Sequence, residues 1–96
     1  MLIGLNIDPV CQEEFEDWYN TEHLPRLMAV AGCLRARRFR ADGGTHKYLA
    51  IYHLESPEVC SSKTWKDAVA TPWTAKIIPR TSIHLRIPLR RYTRRA

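Results

Sequence analysis

The sequence predicts an α+β fold, with four strands and two helical segments in the order β-α-β-β-α-β inside a single domain spanning residues 1–96. Three observations carry this expectation. Residues 1–8, MLIGLNID, set Ile3, Leu5 and Ile7 against Gly4, Asn6 and Asp8, the period-two pattern of a strand with one apolar face. CLRARRFRA and KYLAIYHLE flank the turn-rich ADGGTH, which predicts a hairpin. Two stretches rich in aromatic residues, one before and one after that hairpin, repeat apolar positions at helical spacing.

In chain order, Asp8 followed by Pro9 is a helix start, an N-cap acceptor before proline in the first turn. Glu13, Glu14, Glu16 and Asp17 then load the early turns with negative charge. Cys11, Phe15, Trp18, Tyr19 and Glu22 or His23 recur at three-to-four spacing, so the aromatics share a face. Pro25 removes an amide donor, which predicts that the first helix ends or kinks at Glu22–Leu24, with His23 at the break. LPRLMAVAG reads as a short second helical piece ended by Gly32. The second strand alternates Leu34, Ala36, Arg38 and Arg40 against Cys33, Arg35, Arg37 and Phe39. The third sets Leu49, Ile51 and His53 against Tyr48, Ala50, Tyr52 and Leu54. SPEVCSSKTWKDAVATPWTAKIIPR predicts a helix with Trp65 and Val69 four apart, then an irregular extension after Thr71-Pro72. TSIHLRIPLRRY is the last strand, with Ile83, Leu85 and Ile87 on one face; Pro88 demotes its far end. This is the ferredoxin-like plan, a four-stranded antiparallel sheet with helices on one face.

A length of 96 residues leaves room for one site and one small core. Net charge is +5 and the pI about 9.5, but residues 8–22 hold six acids and no base, while residues 80–96 hold six arginines and no acid. Such a basic tail either contacts phosphates or keeps a sheet edge from aggregating. The segment Arg90 to Ala96 is expected to add little to folding. An RNP-like aromatic motif on a middle strand is missing, so no nucleic-acid partner is expected. No basic leader and no apolar run of about 18 residues is present, which predicts a cytoplasmic protein with no membrane partner. Cys11, Cys33 and Cys60 are odd in number and widely spaced, and His46, His53 and His84 have no ligand spacing. No metal and no structural disulfide are expected. Both sheet faces are apolar enough to be covered, which predicts a homodimer burying about 1,600 Å² or more.

FEDWYNTEHLPRLMAVAGCLRARRF, then KYLAIYHLESPEV and a later TPW, resembles the EthD-like branch of the dimeric α+β barrel superfamily over nearly the whole chain. The most specific part is the aromatic helix ending in Glu22-His23-Leu24-Pro25. The resemblance implies ferredoxin-like protomers that dimerise through their sheets, a mostly apolar pocket between sheet and helices, and no cofactor. It also implies that His23 lines the pocket.

From the residues themselves, His23 is either an acid/base, since neutral imidazole both gives and takes protons, or a cap on the helix end. Tyr19 offers a hydroxyl beside it, and Trp18 is core anchor or platform. Glu22 is a local anchor. Arg38, among small apolar neighbours, pairs with Glu22 or another internal carboxylate, or with a ligand carboxylate or enolate. Tyr48 and Tyr52 share a face from which phenols could orient a ligand, and Trp73 after Pro72 is placed to close one pocket end. The leading expectation is a cofactor-independent enzyme that moves a proton on a cyclic or aromatic, polyketide- or lactone-like compound, by isomerisation, cyclisation or decarboxylation. A cofactorless monooxygenase of the antibiotic-biosynthesis type, and a noncatalytic protein that binds a hydrophobic small molecule or stabilises a larger enzyme, are the alternatives.

Overall fold

The alternation of Ile3, Leu5 and Ile7 becomes strand β1 (Leu2–Ile7), which lies between β3 (Tyr48–Leu54) and β4 (Thr81–Ile87) in a four-stranded sheet. Strand β2 (Cys33–Arg40) completes the order β2-β3-β1-β4, and every neighbouring pair is antiparallel. These features belong to a computed structural model that describes residues 1–91; Tyr92 to Ala96, the end of the basic tail, lie outside the described residues. Each consecutive β-α-β unit spans one intervening strand, which is the ferredoxin-like topology.

Register decides which side chains meet the helices. Ile3 pairs with Ala50 and Leu5 with Tyr48, while Ala36 pairs with Tyr52 and Arg38 with Ala50, so these residues share the covered face. Leu2, Gly4, Phe39, Leu49, Ile51, Leu85 and Ile87 lie on the other, open face by the same pairings. The two faces of β3 follow its alternation, with Tyr48, Ala50 and Tyr52 buried and His53 exposed. Two strands depart from theirs. A register shift between Cys33 and Arg35 turns Cys33 toward the core and leaves Leu34 71% exposed, so Leu34 does not share the face of Ala36 and Arg38. A second shift, opposite Gly4–Asn6, lets Thr81 pair with Ile7 on the covered face and Leu85 with Gly4 on the open one. Ile83 sits at that irregularity with φ 53 and is exposed, so it does not line up with Leu85 and Ile87.

The helical layer starts where Asp8 Oδ1 accepts from Val10 N at 3.1 Å, capping a 3₁₀ turn at Pro9–Cys11. Helix α1 (Gln12–Trp18) follows, then a π turn at Tyr19–His23 and helix α2 (Leu24–Met28). The end or kink expected at Glu22–Leu24 takes the form of this π turn, and the chain does not leave the helical path. Dihedrals at His23 and Leu24 stay right-handed helical, and Leu24 N–H reaches back five residues to Tyr19 O. Pro25 has no amide for the carbonyl four residues earlier and its ring would strike it, so widening the turn by one residue removes the conflict while the helix runs on. The second helical segment is a 3₁₀ turn at Pro57–Ser61, helix α3 (Lys63–Val69), helix α4 (Pro72–Ile77) and a 3₁₀ turn at Ile78–Arg80. Ser62 and Thr71 cap α3 and α4 by accepting from Trp65 N and Thr74 N.

Phe15, Trp18, Leu27, Trp65 and Ile77 from the helices meet Leu5, Tyr48, Ala50 and Tyr52 from the sheet in one continuous core. Gly32 makes the return from α2 to β2 with φ 91, and its carbonyl accepts from Glu55 N at 2.7 Å. A Cβ there would stand 2.6 Å from Val59 Cγ2, against a buried valine. Gly32→Ala is therefore expected to cost about 1–3 kcal/mol, lowering the melting midpoint by at least about 5 °C. An unchanged midpoint in thermal denaturation followed by circular dichroism would contradict this.

Candidate functional site

The π turn fixes the position of His23. In a regular α-helix residues five apart point to different sides, but five-residue bonding sets them one turn apart on the same side. His23 consequently lies over Trp18, five residues earlier, with ring centroids 4.3 Å apart and an interplanar angle of 23°. Tyr19 presents its ring edgewise to His23 at 4.9 Å and 88°. No side-chain bond caps a helix end through this imidazole, and its Nδ1 is buried with no hydrogen-bond partner. Burial, and secondarily the Arg38 cation, push its pKa down from 6.5 to about 4. His23 is a neutral imidazole at neutral pH.

Arg38 reaches the same group from β2. Its guanidinium lies 4.2 Å from the Tyr19 ring centroid, donates to both carboxylate oxygens of Glu16 at 2.9 and 3.2 Å, and donates to Asn20 Oδ1 at 2.7 Å. Glu16, Tyr19 and Asn20 are three and four residues apart, so one side of the helix supplies these three partners. Glu22 is engaged elsewhere, accepting from Thr71 Oγ1 at 2.7 Å. Glu16 and Asn20 were not among the residues singled out from the sequence. Their spacing was visible, but the strand cation that selects them comes from 18 and 22 residues away.

Tyr19 and Tyr52 hydroxyls bond to each other at 2.7 Å. Burial pushes both phenols up, and at Tyr52 the neighbouring Tyr19 and Cys33 push the same way while Arg38 opposes. The Trp18 indole N–H donates to Thr74 Oγ1 at 3.2 Å. The structure thus gathers His23, Tyr19, Trp18, Arg38 and Tyr52 in one linked group. Tyr48 joins only through Phe15, at 5.0 Å, and its buried hydroxyl has no partner. Trp73 is half-buried on α4 and packs at the margin of the core, without ring contact to His23.

The space between sheet and helices, where the resemblance placed an apolar pocket, is filled by these rings: Trp18, Tyr19 and Tyr52 are 1%, 3% and 1% exposed. Half-buried His23 and Arg38 are the parts of the group that keep access to the outside. Concavities lie elsewhere among the described residues. One of about 650 Å³ is bordered by Asn6, Arg40, the Asp42–Gly44 loop tip and Lys47. One of about 320 Å³ lies between α2 and α3 at Arg26, Val30 and Thr64. Among the described residues no three His, Cys, Asp or Glu side chains converge as a metal site would require, and no helix is long and apolar enough to cross a membrane.

His23 couples proton binding to folding. Between pH 6.5 and about 4 the unfolded chain binds a proton at this residue that the folded chain refuses. Stability is therefore complete above 6.5 and lost as pH falls through this window. At about 1.36 kcal/mol per unit, acidification from pH 7 to 4.5 should lower the melting midpoint of the unaltered protein by roughly 10 °C more than that of His23→Gln. Parallel pH dependences for the two proteins would show that His23 is not held neutral by the fold.

No curated protein matches the chain. A solved structure of an ethyl tert-butyl ether D (EthD) family protein from Bacillus halodurans C-125 is similar to it over 78% of this chain and 75% of that one, with 16% identity and a TM-score of 0.47. The family model described as "Domain of unknown function (DUF4286)" matches residues 2–78. That match takes in β1, the π turn with His23, the β2–β3 hairpin and α3 and α4, and the chain belongs to the DUF4286 family.

Proposed function

We propose that the protein is a cofactor-independent enzyme that moves a proton on a cyclic or aromatic small molecule, with His23 as the acid/base. The observation that carries this reading is the buried, unpartnered Nδ1 of a neutral imidazole held between the face of Trp18 and the edge of Tyr19. A structural histidine in such surroundings normally satisfies its buried nitrogen within the protein. A neutral imidazole can take a proton from a carbon next to a carbonyl and return it to another atom of the same molecule, an isomerisation that leaves no net charge. The Arg38 cation beside it favours the enolate formed in between. Tyr19 keeps the ring in place, and its hydroxyl is committed to Tyr52.

The homodimer is part of this proposal. Phe39 and Ile87 on the open sheet face are 45% and 38% exposed, and Leu2, Leu49, Ile51 and Leu85 extend the apolar area between them. A second copy laid on this face would remove it from water.

Light scattering at micromolar concentration is expected to give twice the 11.2 kDa protomer mass, and Phe39→Lys is expected to shift the particle toward one protomer; a monomeric starting protein defeats the dimer. In an assay against a panel of lactones and phenolic ketones, His23→Ala should lower kcat by about 10²–10⁴, and His23→Gln should not restore it, because an amide carries no titrating proton. Since the base is unprotonated above its pKa of about 4, kcat/KM should be flat from neutral pH to about 5.5 and fall below that. Normal turnover by His23→Gln removes the acid/base role.

A further inference from the structure

We propose that Thr74 and Thr71 are positioning residues for His23, acting through Trp18, whose indole plane they lock against the imidazole. The inference deepens the proton-transfer reading and rests on it.

A buried indole has one polar handle, its N–H, and that hydrogen is worth most when it finds an acceptor. Thr74, itself 6% exposed, provides the acceptor at 3.2 Å. Thr74 and Thr71 hydroxyl oxygens lie 2.9 Å apart, and Thr71 Oγ1 donates to Glu22 Oε2 at 2.7 Å. Each hydroxyl has one hydrogen. Thr71 gives its own to Glu22, so the hydrogen between the threonines is Thr74's. The series therefore has one direction, from an indole that only donates, through two hydroxyls, to a carboxylate that accepts. No rotor in it is free to turn without breaking a bond.

The placement matters as much as the bonds. Trp18 stacks on His23, and Glu22 immediately precedes it in the chain. Both are tied to the same turn at the start of α4, where Thr71 also accepts from Thr74 N at 3.1 Å. The imidazole is thus bracketed on its ring face and on its backbone by one anchor. The charged and titratable groups that face it are Arg38 from β2, with its partner Glu16, and Tyr19 and Glu22 from its own helical segment. Arg38, Glu16 and Tyr19 have no bond to this series, so cutting Thr74 away changes the ring's support and leaves them in place, and Glu22 keeps its bond from Thr71.

The test is an NMR titration of the His23 ring in the full chain, for the unaltered protein, Thr74→Ser and Thr74→Val, each with and without Trp18→Phe. Thr74→Ser keeps the acceptor and should titrate as the unaltered protein, near 4. Thr74→Val should let the stack loosen and water reach the ring, raising the midpoint by at least about one unit toward 6.5. With Trp18→Phe present there is no indole hydrogen to hold, and Thr74→Val should add nothing. An unmoved midpoint in Thr74→Val, or an equal shift in both backgrounds, overturns the proposal. A measurement without variants guards against a valine protein that fails to fold. The Trp18 indole hydrogen should exchange with solvent far more slowly than a free indole, and exchange at the free rate overturns the proposal by itself. The titration reads the ring without turnover, so a failed activity assay and a failed coupling are separate results.

Discussion

Proline at position 25 has no hydrogen to give, and the geometry around the site follows from how the helix absorbs that fact. A helix that simply stopped would leave the carbonyls of its last turn open and free His23 to swing outward. The π turn instead lets Leu24 bond Tyr19 and keeps the chain helical from Gln12 to Met28. One inserted residue also rotates the side chains beyond it, which is what lays the imidazole on the indole. Helices adopt such turns rarely, and they concentrate at functional positions because the rotation brings together groups that a regular helix keeps apart.

Around this turn the protein places charge against aromatic surface. Arg38 would be an expensive cation to hold within a small core by itself. It is accommodated by two bonds to Glu16, one to Asn20 and the face of Tyr19. Burial, with the Arg38 field second, keeps a second proton off His23, while the Tyr19 and Tyr52 hydroxyls share one bond. The group is held by covering its polar atoms, with His23 Nδ1 and Tyr48 Oη as the buried exceptions among the described residues.

Most of the architecture was legible because local pattern and tertiary demand agree. The alternation in β1, the two faces of β3, the turn-rich hairpin loop and the proline-marked pieces of the second helical segment all fold as they read. The disagreements share one cause. Leu34 and Ile83 were assigned faces from their own strands, whereas each face is set by register with a neighbour, and both strands slip by one residue against theirs. Pro25 read as an end or kink of the helix, and the π turn that meets it lies outside rules written for the α form. For the site, His23, Trp18, Tyr19 and Arg38 stood out by residue type. Glu16, Asn20, Thr71 and Thr74 did not, since common polar residues acquire their importance from partners far along the chain.

The irregularity at Ile83 has a bearing on how copies of this chain can meet. A β-branched side chain at φ 53 is strained by roughly 1–2 kcal/mol, a cost that persists only where the surroundings impose it. Here it coincides with a register shift in the outermost strand on one side of the sheet, while the strand on the other side carries Arg35, Arg37 and Arg40. An irregular border and a charged one are both poor templates for adding further strands. Strand-by-strand growth has no natural end and leads to fibres, whereas two flat surfaces pressed together leave nothing over for a third. A locally unfavourable backbone angle thereby makes β4 a poor template for a further strand.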